Sequence, residues 1–175
     1  MTILGFTKQE TRAVGVMLVG ILTVTAINLV GAIRKSRDAQ RKGDVRQITR
    51  ILDEFQTSQG IIPASQDGLI IACNPDFDEL GNPIYKPCRW GEDEISGNKL
   101  PGDPHSTNGA SYLYLASPKN YQVFASLESA KEDEYDEKIV ARNLPCGIKI
   151  CNFGLTSGVP LDKSIQEYEN EIDEK

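Results

Sequence analysis

Residues 13–33 read AVGVMLVGILTVTAINLVGAI, a stretch of 21 residues without a charged side chain. As an α-helix rising 1.5 Å per residue it would cover about 30 Å, the thickness of the hydrocarbon core of a bilayer. Thr23, Thr25 and Asn28 weaken its apolar character. Such polar groups are tolerated inside a membrane where they face protein. The stretch therefore predicts a membrane-spanning helix that packs against other helices.

The helical pattern continues past the apolar stretch. No proline occurs between Arg34 and Gln56, and apolar residues recur there every three to four positions. Gly60 and Pro63 are typical of a helix end. The sequence thus predicts one helix of roughly 50 residues, half in lipid and half packed against a soluble head. The predicted core stripe consists of Val45, Ile48, Ile51, Leu52 and Phe55, and the opposite face carries Arg46, Arg50, Asp53 and Glu54.

Charge and cysteine content disagree about the side of the membrane on which the head lies. The flanking basic residues are Lys8 and Arg12 before the span, and Arg34, Lys35, Arg37, Arg41 and Lys42 after it. The excess of cations after the span would place the head in the cytoplasm. All four cysteines also follow the span, and an even number there is typical of disulfides in an oxidising compartment. We interpret the head as extracytoplasmic and the basic cluster at residues 34–42 as a contact for lipid headgroups.

The cysteines are Cys73, Cys88, Cys146 and Cys151. They permit three pairings, and closeness in sequence favours Cys73–Cys88 and Cys146–Cys151. The first bridge would staple a long irregular region predicted at residues 61–108, and closing about 15 residues restricts the unfolded chain by about 3 kcal/mol. A zinc site is disfavoured, because the spacing of Cys73 and Cys88 is far wider than the two-to-four-residue gap of such sites.

A small antiparallel sheet is predicted after this region. Side-chain character alternates at residues 111–116 and 121–127 around a turn that contains Pro118, and a third strand is predicted at 147–153. Three such strands need a cover for their apolar face, which the striped helix supplies. The predicted fold class is therefore α+β, followed by an acidic tail at residues 161–175 that is either a loosely held short helix or disordered.

Composition disfavours several classes of function. The net charge of −6 argues against nucleic acid as the main ligand, because phosphate binding needs concentrated cations. His105 is the sole histidine, and a lone loop histidine without triad partners is solvent-exposed more often than catalytic. The acidic clusters at residues 76–79, 92–94 and 132–137 are interpreted as solvated surface. We expect no enzymatic activity.

The amino terminus resembles that of type IV pilins and of the pseudopilins of type II secretion systems. Gly5 and Phe6 are followed by Glu10, five positions past the glycine, directly before the apolar stretch. The resemblance implies that a prepilin peptidase cleaves between Gly5 and Phe6 and that the new Phe6 amine is N-methylated. It also implies that Glu10 neutralises the Phe6 amine of a neighbouring subunit. Phe6 and Glu10 would share a helix face, and an α-amine with a pKa of about 8 is largely cationic at neutral pH.

Further segments are similar to the same family, namely residues 37–44, the helix exit at 60–63 and LPGDP at 100–104. The likeness implies a pilin-like fold. It also introduces calcium as a candidate ligand, because major pseudopilins use such a site, although no spacing here matches a calcium loop. The weak calcium candidates are Asp76, Asp78, Glu92 and Asp103.

The chain departs from the family pattern in two places. Family members are usually apolar where this chain carries Lys8, Gln9, Thr11 and Arg12, and the proline often found past the middle of the span is missing. Lys8 and Arg12 are therefore alternative counter-ions for Glu10.

We predict a leader at residues 1–5, a transmembrane and filament-core helix at 6–33, an amphipathic helix at 34–57, a head at 58–160 and the tail at 161–175. The resemblance implies a subunit of a homo-oligomeric type IV filament, cleaved by prepilin peptidase and assembled by an inner-membrane platform. Its precursor would span a bacterial membrane once with the amino terminus inside. The alternatives are a membrane-anchored extracytoplasmic binding module without assembly, and a minor or priming pilin of DNA uptake.

Overall fold

The computed structural model describes residues 8–174, so the predicted leader and Phe6 lie outside the described part of the chain. By compactness the chain divides into a unit at Met1–Arg37 and a larger one at Asp38–Lys175. Helix α1, Lys8–Gln59, has 52 residues, of which those up to Arg37 belong to the first unit and those from Asp38 to the larger one. The predicted long amino-terminal helix is confirmed.

The carboxyl-terminal half of α1 forms the centre of the larger unit. The whole predicted stripe is buried, with Val45, Ile48 and Leu52 fully inaccessible to solvent. The helix ends at Gln59, because Gly60 adopts the left-handed conformation at φ 74° and its amide bonds the carbonyl of Gln56. The predicted core face and the predicted helix end are both confirmed.

The region at residues 61–108, predicted to be irregular, contains five short strands that make up 21 of its 48 residues, so that prediction is wrong for these segments. Asp67 and Gly68 adopt φ values of 51° and 79°, and Ser96 and Gly97 adopt 51° and 80°. These pairs form tight hairpin turns of the type that matches the twist of the flanking strands. The strands are β1 Ala64–Gln66, β2 Leu69–Phe77, β3 Pro83–Pro87, β4 Glu94–Ile95 and β5 Asn98–Lys99, paired antiparallel in the order β1-β2-β3 and as β4-β5.

A second three-stranded sheet follows a 3₁₀ turn at Ser106–Asn108. The predicted hairpin is confirmed as β6 Leu113–Ala116 and β7 Tyr121–Ala125. Strand β7 is the central strand and buried at every position, which fits its place between β6 and the later strand β10, Phe153–Thr156. All pairs in this sheet are antiparallel.

The third strand was predicted at 147–153, and that position is wrong. The disulfide Cys146–Cys151 holds its two Cα atoms 5.2 Å apart. Five residues of extended strand span about 17 Å, so the bridged segment cannot be extended. It forms the small hairpin of β8, Pro145–Cys146, and β9, Lys149–Ile150, and the third strand β10 begins only afterwards.

Side chains of the second sheet alternate between two apolar clusters. Tyr114 and Val123 pack with α1 and the first sheet, whereas Leu113 and Phe124 point to the opposite face. That face is covered by the Cys146–Cys151 disulfide and by α2, Glu137–Ala141. The larger unit is thus an α+β arrangement of α1 with small antiparallel sheets.

Two features complete the head. The disulfides join Cys73 to Cys88 and Cys146 to Cys151, which are the two local pairings. The acidic tail contains α3, Ile165–Asp173, whose start is fixed by a reciprocal capping box between Ser164 and Glu167. Of the two alternatives for the tail, the short helix is the one found.

Candidate functional site

The amino-terminal half of α1 presents a continuous apolar surface. Every described residue from 9 to 36 is exposed, and large apolar side chains such as Val16, Met17 and Ile27 are 75%, 66% and 68% exposed. By length and composition this helix could cross a membrane. An apolar surface of this extent is far larger than soluble monomers expose, so it marks a membrane or protein contact.

The hydroxyl groups inside this apolar surface are satisfied within α1. Thr23 Oγ1 donates to the carbonyl of Val19, and Thr25 Oγ1 donates to that of Ile21, both at 2.8 Å. Each bond spans four residues, the local pattern by which threonine hides its hydroxyl in a helix. These bonds satisfy both hydroxyls inside the helix, so the two threonines fit a lipid contact as well as a protein contact, and the packing of α1 against other helices stays a prediction.

Of the residues predicted for processing and assembly, the structure describes only Glu10. It is exposed and is the acidic residue in the first turn of α1, where the helix dipole favours a negative charge. Gly5 and Phe6 lie outside the described residues.

A buried arginine is the polar centre of the larger unit. Arg41 is 2% exposed, and its Nε and Nη2 donate to the two carboxylate oxygens of Asp103 at 2.7 and 3.1 Å. Its Nη1 also donates to Asp38 at 3.0 Å and to Glu128 at 2.9 Å. Burial alone would lower the pKa of Arg41, but these carboxylates raise it overall. The guanidinium therefore stays charged, and it ties α1 to two distant loops.

The carboxylates around Arg41 also organise the backbone. Asp38 is fully buried and accepts hydrogen bonds from the amides of Glu128 and Ser129 at 2.8 and 3.0 Å. Asp103 accepts one from the amide of His105 at 2.7 Å. Because charged hydrogen bonds compensate buried charges, the cluster can exist in the interior.

Lys42 extends this arrangement toward the surface. Its Nζ contacts Glu132 at 2.8 Å and Glu134 at 2.9 Å, and these bonds raise the pKa of Lys42. The prediction that residues 34–42 form one lipid-facing basic patch is therefore wrong for Arg41 and Lys42, which face the head. The prediction of a purely solvated acidic run at 132–137 is likewise wrong for Glu132 and Glu134, because they pair with α1.

Two tyrosines, one directly before β6 and one in β7, also bond α1. The hydroxyl of Tyr112 donates to Asp44, and that of Tyr121 donates to Asp53 at 2.7 Å. Burial raises the pKa of the Asp44 carboxyl, and the bond from Tyr112 offsets part of that rise. The sheet thus holds the helix by side-chain hydrogen bonds as well as by apolar packing.

The four weak calcium candidates are not brought together. Asp103 binds Arg41, and the remaining three have separate local partners. In the described part of the chain, no three His, Cys, Asp or Glu residues are grouped as they would be around a metal ion. Asp76 pairs with Lys86, Glu92 pairs with Arg89, and Asp78 accepts from the amides of Leu80 and Asn82.

The lone histidine lies at the edge of the arginine cluster. The His105 side chain is 35% exposed, and its Nδ1 lies 3.9 Å from Oε1 of Glu128. No nucleophile is hydrogen-bonded to it among the residues that the structure describes.

The arginine cluster was not found from the sequence, although one signal existed. Asp38 and Arg41 extend the buried stripe of α1 backward, since Val45 and Ile48 follow Arg41 at spacings of four and seven. Because a charged side chain on a buried helix face needs a partner of opposite charge, this spacing indicates a buried ion pair.

Comparison with protein-family models, with curated proteins and with solved structures gave no match.

Proposed function

We propose that this chain is a filament subunit of the pilin or pseudopilin class. In this proposal a membrane-stored precursor is cleaved after Gly5, methylated at Phe6 and assembled through the amino-terminal half of α1. Glu10 neutralises the Phe6 amine of a neighbouring copy. Prepilin peptidase and an inner-membrane assembly platform are the partners that this function requires.

The observation that carries the proposal is the change in character along α1. Residues 9–36 are exposed and mainly apolar, whereas from Asp38 onward one face of the same helix forms the core of the larger unit. A helix of this kind can be stored in lipid and can later exchange lipid for other copies of itself. Repetition of such a heterologous contact around an axis produces a helical filament.

The head fits a location outside the cytoplasm. Both disulfides lie in the larger unit, and the described residues include no free cysteine. Disulfides persist in oxidising compartments, and this supports a head outside a bacterial cell membrane with the amino terminus inside.

The mass of the amino-terminal peptide from purified membranes tests this function. We expect a peptide that begins with N-methylated Phe6. A Gly5→Val variant serves as the control, because a bulky residue before the cleaved bond should leave Met1 in place. Recovery of an amino-terminal peptide that still begins with Met1 from the unaltered chain would contradict the proposal.

A membrane-anchored extracytoplasmic module without assembly is the second candidate. The internal bonding of Thr23 and Thr25 favours it, because satisfied hydroxyls lower the cost of facing lipid. Mechanical shearing of cells separates the candidates, since a filament subunit appears in the sheared fraction and an anchored module stays with the membranes.

A further inference from the structure

One polar side chain in the apolar half of α1 is left without a hydrogen bond. The hydroxyls of Thr23 and Thr25 bond carbonyls of the helix itself. The side chain of Asn28 is exposed and forms no hydrogen bond with any residue that the structure describes. Its amide carries two N–H donors and a carbonyl acceptor, so Asn28 needs a partner from outside its own helix.

Water cannot supply that partner when the stretch at residues 13–33 lies in lipid. Asn28 is 15 residues past Ala13 and five residues before Ile33, the two ends of the uncharged stretch. At 1.5 Å per residue these separations are about 22 and 7.5 Å. Long Lys and Arg side chains reach the membrane surface from within the bilayer, but an asparagine side chain is too short to do so. Because an amide in hydrocarbon is costly without a hydrogen bond, a helix in lipid gains free energy when Asn28 is paired.

A second copy of the same helix supplies a partner of matching chemistry. The side-chain amide is self-complementary, because the N–H of one Asn28 can donate to the carbonyl of another. Copies that insert in the same direction also place this residue at the same depth. A single asparagine on an otherwise apolar helix contact fixes the register and the number of associated helices.

The helix surface next to Asn28 permits a close approach of a second backbone. Gly31 and Ala32 follow Asn28 by three and four residues, so they lie on the same face one turn later. Nothing lies within 4 Å of the position that a Cβ at Gly31 would occupy. Val24, one turn before Asn28, is 60% exposed. Small residues at such positions let membrane helices pack closely enough for side chains to bond across the contact.

We propose that α1 forms a parallel pair with a second copy in the membrane, held by a hydrogen bond between the two Asn28 side chains, with Gly31 and Ala32 in the contact. Both copies contribute the same residues, so the contact is isologous and closes with two chains. This inference goes beyond the filament function, because it concerns the uncleaved chain in lipid and applies equally to an anchored module.

Disulfide crosslinking of the full-length chain in cell membranes tests the pair. Gly5→Val keeps the chain uncleaved, and Val24→Cys adds a thiol about 40° from Asn28 around the helix axis. The described residues include no free cysteine, so oxidation reports on the added thiol. We expect a disulfide-linked dimer. Val30→Cys is the matched control, because it replaces a second exposed valine about 160° from Asn28 and should give much less dimer.

Variants of Asn28 test the hydrogen bond. At low expression, where most copies are monomeric, the yield of dimer from the Val24→Cys chain follows the association constant. Asn28→Leu should lower this yield by about three- to thirtyfold, the effect of one hydrogen bond between membrane helices. Asn28→Gln keeps the amide and should retain most of the yield. Thr23→Val removes a hydroxyl that is bonded inside the helix and should leave the yield unchanged.

Failure of the pair is distinguishable from failure of the filament function. Equal yields from Val24→Cys and Val30→Cys, or a yield that Asn28→Leu does not change, would overturn the pair. A crosslink of Val24→Cys to another protein, or no crosslink at all, would overturn it as well. None of these results touches the filament function, whose test is methylated Phe6 in the unaltered chain. Recovery of the chain from the soluble fraction would contradict both.

Discussion

Arg41 is a buried cation that pairs with three carboxylates of the head. Three carboxylates surround one guanidinium, and backbone amides supply the remaining donors. An arrangement of this kind contributes little net stability when complete, yet it is costly to break, because the remaining charges stay buried without a partner. Arg41 therefore fixes the position of two loops against α1 more than it adds to the stability of the fold.

Substitution of Arg41 tests this view. Arg41→Leu should lower the free energy of unfolding of the head by about 3–5 kcal/mol, because Asp38 and Asp103 would remain buried without their cation. Denaturant unfolding of the full chain in detergent measures the change. Arg50→Leu, at an exposed position of the same helix, should stay within about 0.5 kcal/mol. Equal effects for the two variants would contradict the structural role of Arg41.

The identity of the Arg41 partners could not be derived from local sequence. Asp103 lies 62 residues away along the chain, and Glu128 lies 87 residues away. A helical pattern shows which face is buried, but it carries no information about which loop returns to that face. The candidate site on the head was therefore missed, whereas the apolar half of α1 was visible in the sequence.

Elements differed in how well the sequence predicted them. Helix α1 was predicted because its signals are local, namely a regular stripe and a glycine at the end. Strands β1, β4 and β5 have only three, two and two residues, too few for an alternating pattern to stand out. The dipeptides Asp67-Gly68 and Ser96-Gly97 were the available signals, because such pairs favour tight hairpin turns.

The third strand shows how two predictions can exclude one another. A bridge between Cys146 and Cys151 and a strand at 147–153 were both expected, although the bridge brings together atoms that a strand would separate. Covalent closure prevails over strand propensity, so the strand begins at Phe153.

Helix α3 depends on carboxylates and should respond to acid. The Glu167 carboxylate accepts from the amide of Ser164 at 2.8 Å, and the Glu169 carboxylate accepts from the side chains of Ser117 and Asn120. These bonds hold the pKa of both carboxyls below the ordinary value. A lowered pKa in the fold gives stability that is present above the ordinary pKa of about 4.3 and is lost as the pH falls through the lower, folded value.

We expect the amides of α3 to lose protection from hydrogen exchange as the pH falls below about 4.3, after correction for intrinsic rates. Glu169→Gln should reduce this pH dependence, because an amide does not titrate. The amides of β7, a buried central strand, provide the internal reference. Unchanged α3 protection at pH 3 would show that these carboxylates do not hold the helix.

At the scale of the whole molecule, charge and apolar surface are distributed unevenly. Residues 1–37 carry five Lys or Arg against one Glu, whereas residues 38–175 carry 14 Lys or Arg against 24 Asp or Glu, so a net +4 at the amino-terminal end is combined with a net −10 in the rest of the chain. The same residues include the exposed apolar surface of α1. A cover for that surface, either lipid or other copies of the helix, is required before the chain can persist in water.

In the proposed function, Glu10 distinguishes the filament from lipid as the cover of this surface. In the proposed filament the α-amine of Phe6, with an ordinary pKa of about 8, enters an apolar helix bundle as a cation. An unpaired charge inside a membrane-like environment costs about 2.5–3.5 kcal/mol, and a glutamate of the neighbouring copy offsets that cost. Lipid storage of the precursor does not need this pairing, since the amine does not exist before cleavage.

Glu10→Ala should therefore leave cleavage after Gly5 and methylation of Phe6 unchanged, while sheared filament material falls by about tenfold or more, the effect expected of an unpaired cation. Glu10→Asp should retain part of the assembly, because it keeps the charge on a shorter side chain. Arg12→Ala, which leaves the carboxylate in place, should assemble like the unaltered chain. Peptide mass and quantitation of the sheared fraction measure the two steps separately. Normal filaments from Glu10→Ala would show that the pairing of Glu10 with the Phe6 amine is not what drives the exchange of lipid for neighbouring subunits.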